Sequence, residues 1–130
     1  MRRLLMACSI LMFAAVNAYA GEPPKFFQDT YPEYALKSAL EARAILEGEG
    51  AELDAKTRQL IALGVAAQIP RAYCVYAHTK KARAAGATEG EIREAVATAA
   101  TVRQWSTVLN GMAYDFEAFT EEVDGIQTSN

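Results

Sequence analysis

The single histidine of this chain, His78, lies four residues after Cys74. Residues three and four apart share a helix face, so Arg71, Cys74 and His78 are predicted to form one stripe. A thiolate is a nucleophile, and a neighbouring imidazole or cation raises the thiolate fraction near neutral pH. Arg71 adds donors suited to an oxyanion or a carboxylate. The competing reading is structural: free cysteine is among the most buried residue types, and a Cys and a His one turn apart on an Ala-rich helix also arise as packing. A zinc site within one subunit would need at least a third ligand, and the only other cysteine is Cys8. No metal site within one subunit is therefore expected, and nothing in the residue pattern implies an organic cofactor.

The elements that must hold this stripe are helical throughout. Tyr34, Ala35, Leu36, Ala39, Leu40, Ala42 and Ile45 recur at helical spacing between about Pro32 and Glu47, and Gly48 and Gly50 end the segment. Asp54 is the predicted N-cap of a helix carrying Leu60, Ile61, Leu63, Gly64, Val65 and Ala67, and Pro70 either ends it or begins the next. The helix bearing the stripe runs from about Arg71 to Ala85 and stops at Gly86. Thr88 and Glu91 form a capping-box pattern for the next helix, which carries Ile92, Ala95, Val96, Ala99, Val102 and Trp105 as far as Leu109. Trp105, Ser106, Thr107 and Asn110 read as core and helix end, with Asn110-Gly111 as the break. A last helix spans about Met112 to Val123, and the tail from Asp124 is expected to be loose. No period-two alternation marks a strand, so the expected fold class is all-α.

Composition narrows the function classes. The 130 residues hold 52% hydrophobic and 22% charged side chains, enough apolar content for one packed domain and too much for a disordered chain. Lys and Arg number 13 against 16 acids, for a net charge of −3, the wrong sign for a nucleic-acid partner. The cluster Lys80, Lys81 and Arg83 reads as a solvated helix face. Short helices in so small a chain leave a thin core, so some apolar helical surface is expected to be covered in a homo-oligomer.

Residues 1–20 read as a cleaved signal peptide: Arg2 and Arg3, an apolar run from Leu4 to Val16, then Ala18-Tyr19-Ala20 as the cleavage site. The expected product is a secreted or periplasmic domain over residues 21–130, without stable membrane association. Loss of two arginines and no acid takes 13 against 16 to 11 against 16, or −5. Gly21 to Thr30, with Pro23 and Pro24, is expected to be an extended lead-in. With Cys8 gone, Cys74 has no partner for an internal disulfide.

Three stretches in order carry a family resemblance: Arg58 to Ala67, Arg71-Ala72-Tyr73-Cys74-Val75-Tyr76-Ala77-His78, and Gly86 to Ala95 with Thr88, Glu91 and Ile92. Together they resemble the carboxymuconolactone decarboxylase domain family, which includes the alkylhydroperoxidase D-like proteins. The peroxidase members show a glutamate and, twelve positions later, C-x-x-C-x-x-x-H. Their second cysteine attacks the peroxide, the first resolves the sulfenic acid, and the histidine and glutamate relay protons. On that pattern Cys74 matches the attacking cysteine and His78 the relay histidine. Arg71 stands in place of the resolving cysteine and Gln59 in place of the glutamate.

The resemblance thus implies an alkylhydroperoxidase-like antioxidant protein of peroxiredoxin activity working through a single thiol. Its catalytic residues would be Cys74 and His78, with Arg71 and Gln59 in support and Tyr73 and Tyr76 lining a substrate pocket. A small-molecule peroxide would be the substrate and an external thiol the reductant, because an intramolecular disulfide cannot form. Gln59 can orient His78 but cannot take a proton as a carboxylate does. The first alternative is a decarboxylase-like lyase, in which Arg71 binds a carboxylate and His78 protonates the carbanion; a non-catalytic family member is the second.

Overall fold

A computed structural model describes residues 22–69 and 71–127 and contains six helices and no strand among them. The all-α class is as the sequence implies. The signal peptide and the stop at Pro70 lie outside the described residues. The chain divides into two compact units, at Ala51 and Glu52.

In the first unit, α1 spans Lys25–Thr30 and α2 spans Glu33–Glu47. The lead-in is therefore not extended over its whole length. Pro24 occupies the N-cap, where a missing N–H costs nothing. Lys25 pairs with Asp29 at 2.6 Å one turn on, and Thr30 Oγ1 donates to the Phe26 carbonyl. Tyr31 ends this turn in extended backbone because it precedes Pro32. The Arg43 guanidinium of α2 lies 5.9 Å from the centroid of the Phe27 ring, which ties the two helices together. Helix α2 stops at Gly48.

The second unit holds α3 (Ala55–Gln68), α4 (Ala72–Ala84), α5 (Glu89–Gly111) and α6 (Phe116–Gln127). Asp54 caps α3, accepting from Thr57 N at 3.0 Å and from Thr57 Oγ1 at 2.6 Å, and those bonds hold its carboxyl below the ordinary value. Helix α4 closes with two bonds over Gly86, whose φ of +86° suits the residue after a helix end. Gly86 N donates to Arg83 O at 3.0 Å and Ala87 N to Ala82 O at 2.9 Å. Thr88 and Glu91 make the full capping box at the start of α5.

Helix α3 packs against both α4 and α5. Leu63, Ala82 and Ile92, one from each, form the buried centre, with Leu60, Val75 and Ala87 against it. Gly64 faces Ala99 of α5, where a Cβ would make an ordinary contact at 3.6 Å.

Three helix boundaries differ from expectation. Asn110-Gly111 does not break α5: Asn110 Nδ2 donates to Ser106 O at 2.7 Å, and the turn comes at Ala113, whose φ is +49°. The last helix starts at Phe116 rather than Met112, because Asp115 accepts from Ala118 N at 2.8 Å as its cap. It also continues past Asp124 to Gln127.

Candidate functional site

Gln59, Leu63 and Ala66 form the buried stripe of α3, spaced four and three residues apart. A buried amide costs free energy unless it is hydrogen-bonded. Gln59, only 8% exposed, meets that requirement through His78: its Oε1 stands 2.8 Å from His78 Nδ1. With Oε1 as acceptor, Nδ1 carries the proton and Nε2 is the basic nitrogen of the ring. The half-buried Val75 and the buried Ala82 flank His78 at three and four residues, so the imidazole belongs to the face of α4 turned to α3.

Cys74 lies one turn before His78 and is exposed. The structure thus joins Gln59 to His78, and helical spacing sets the exposed thiol one turn away on α4. Arg71 departs from the predicted stripe. It is the N-cap of α4, with φ −136° and ψ 112°, and its N–H donates to Ile69 O at 2.6 Å. The helical spacing that aligns Cys74 with His78 does not extend to it, although its exposed guanidinium stands at the same helix end as the thiol. Tyr73 and Tyr76, 87% and 66% exposed, project from α4, and Lys80 Nζ sits 5.5 Å from the Tyr76 ring centroid. Among the described residues no three His, Cys, Asp or Glu side chains are grouped to hold a metal ion.

Other features of this unit arise from contacts between helices. Glu91 accepts from Lys56 Nζ at 2.7 Å and from Thr88 N at 2.7 Å, so one carboxylate joins α3 to the start of α5. These bonds, the lysine first, hold its pKa down at about 2. Helices α3 and α5 also border an apolar groove of about 530 Å³ lined by Leu60, Ile61, Val65 and Val102. A smaller one of about 410 Å³ is lined by Ser106, Asn110, Tyr114, Phe116 and Phe119. The i, i+4 pair Ser106 and Asn110, followed by two phenylalanines, was the available signal for it. Trp105, expected in the core, is 58% exposed. The sequence shows a helical apolar stripe there, but α3 covers only the first half of α5.

The arrangement defines an all-helical protein with a surface thiol one turn from an imidazole that a buried amide orients. The sequence profile described as the Carboxymuconolactone decarboxylase family matches residues 34–115, and the chain belongs to that family. It is also 38% identical over 73 residues to a protein of Paracoccus denitrificans described as "Uncharacterized protein 4 in cox locus". The match covers 56% of this chain and 64% of that protein's own length. No solved structure matches the chain.

Proposed function

We propose that the protein is an alkylhydroperoxidase D-like thiol peroxidase, exported through its N-terminal leader. The observation that carries the reading is the Gln59 to His78 hydrogen bond, placed one turn from an exposed Cys74. A buried amide spent on fixing the tautomer of a half-buried imidazole is what a proton-transfer group needs. His78 Nε2 takes the thiol proton, and the thiolate attacks the terminal oxygen of a hydroperoxide. The O–O bond breaks, the leaving alkoxide takes the proton from His78, and Cys74 becomes a sulfenic acid. An external thiol then restores it. Gln59 is neutral, so it orients His78 and takes no proton from it.

Assembly into a homo-oligomer belongs to the same reading. Ile61 and Val65 of α3, with Val102, Trp105 and Val108 of α5, leave an apolar face exposed, and such faces mark interfaces. Sedimentation should give a multiple of the 14.1 kDa chain, or of its shorter processed form.

The deciding experiment treats the reduced protein with hydrogen peroxide and then cumene hydroperoxide. Cys74 is followed by mass spectrometry beside a His78→Ala variant. Oxidation far faster than for free cysteine, and slowed in the variant, supports the reading. Oxidation at the free-cysteine rate in both overturns it and moves the case to a decarboxylase-like lyase, which survives Cys74→Ser, or to a non-catalytic protein.

A further inference from the structure

The end of α5 and the start of α6 border a cavity that takes no part in the chemistry above. Ser106, Asn110 and Ala113, four and three residues apart, share one side of α5 and its cap. The chain turns at Ala113, φ +49°, where Ala113 N donates to Asn110 O at 3.1 Å and Tyr114 N to Leu109 O at 3.0 Å. That turn sets Tyr114, Phe116 and Phe119 opposite Ser106 and Asn110, around a space of about 410 Å³. Small-molecule sites run from roughly 300 to 1,000 Å³.

The walls of this space have a definite chemistry. The Phe116 and Phe119 rings lie within 26° of parallel, with centroids 6.4 Å apart. One charged group can therefore stand within about 6 Å of both centroids. Tyr114 is fixed to α6, its hydroxyl donating to Glu122 Oε1 at 2.7 Å. Asn110 spends its amide nitrogen on Ser106 O at 2.7 Å, which leaves Oδ1 as an acceptor, and the Ser106 hydroxyl is a second. No Lys or Arg follows Arg103 in the chain, whereas Asp115, Glu117, Glu121, Glu122 and Asp124 all do.

We propose that this cavity binds a small organic ammonium ion, its charged head against the Phe116 and Phe119 rings and its N–H or hydroxyl group on Asn110 Oδ1. The face of an aromatic ring is the negative end of its quadrupole and attracts a cation. The acidic segment adds a field of the same sense and disfavours a carboxylate or a phosphate. A neutral molecule of the same shape gains the apolar contact and neither attraction. The site is independent of the peroxidase reading, because Gln59, Cys74 and His78 belong to α3 and α4.

The test compares choline with its neutral isostere 3,3-dimethylbutan-1-ol, each titrated with the protein and followed by its methyl proton signal. Choline should show a saturable upfield shift, the mark of a group held over ring faces, and should bind roughly two- to thirtyfold more tightly than the alcohol. Phe116→Leu and Phe119→Leu keep apolar volume and remove the rings, so each should shrink the shift and the lead of choline. Tyr34→Leu, which removes an exposed ring of α2, should change neither. Equal affinity for choline and the alcohol overturns the proposal, as does choline binding without the upfield shift, which would place it on the carboxylates alone. A shift that survives in both phenylalanine variants puts the cation elsewhere and overturns it too. Should those variants fail to fold, the comparison of the two ligands on the wild-type protein decides.

Discussion

Replacing Gln59 by Leu tests the orienting bond most directly. The substitution removes the acceptor 2.8 Å from His78 Nδ1 and keeps the side-chain volume nearly unchanged. A buried donor left without its acceptor costs about 1–3 kcal/mol, and His78 is only half-buried, which puts it at the lower end. The new side chain adds apolar contact beside Leu63, one turn along α3, and recovers up to about 1 kcal/mol. The expected net loss of stability is about 1 kcal/mol or less, readable by urea denaturation, with the fold intact. The effect on chemistry is larger in proportion. Losing one neutral hydrogen bond, net about 0.5–1.5 kcal/mol, lowers the oriented tautomer's share roughly twofold to tenfold. Oxidation of Cys74 by peroxide should slow by the same factor, and nitrogen NMR of His78 should report a mixed tautomer. Gln59→Glu provides the opposite perturbation. A carboxylate at that distance favours the charged imidazole, so the pH at which the rate rises should move upward. Wild-type oxidation kinetics and an unchanged tautomer in the Leu variant would refute the orienting role.

Three further outcomes follow from the same packing. Ala113 sits at φ +49°, a region that costs a residue with a Cβ about 1–2 kcal/mol, so Ala113→Gly should raise the melting temperature despite the extra chain entropy. Gly64→Ala should also stabilise, by up to about 1 kcal/mol from helix propensity, because its Cβ meets Ala99 at an ordinary 3.6 Å; Gly64→Leu should destabilise by overpacking α3 on α5. The Glu91 carboxylate, held at about 2 by Lys56 and Thr88 against an ordinary 4.5, contributes stability that is complete above pH 4.5 and lost as the pH falls toward 2. Acid titration of the folded fraction should show that loss in the wild type, and Glu91→Gln should flatten it.

How much of this was legible in the sequence depends on the range of the interaction involved. The cap at Asp54, the capping box of Thr88 with Glu91 and the helix stop at Gly86 are local, and all three stand in the structure where the residues place them. The run from Lys25 to Thr30 was misread because two prolines suggest extended chain, whereas Pro24 starts a turn that the Lys25 to Asp29 pair closes. The start of the last helix was misread for a related reason: Asp115 is a better cap than anything at Met112, and Asn110-Gly111 kept helical backbone because Asn110 bonds within its own turn.

The site divides along the same line. Cys74 and His78 share α4, so their proximity is a matter of spacing alone, but Gln59 reaches His78 from α3 across a tertiary contact between residues 19 apart. Its position was marked only by resemblance to the family pattern. What distinguishes Gln59 physically is that an amide occupies the helix position that Leu63 and Ala66 continue as apolar core. A polar residue on a buried stripe must have a partner on the facing helix, and on α4 the side chain that meets it is the imidazole. Arg71 shows the converse. Spacing placed it on the stripe, and the cap geometry removed it, because helical periodicity ends where the backbone leaves the helical region.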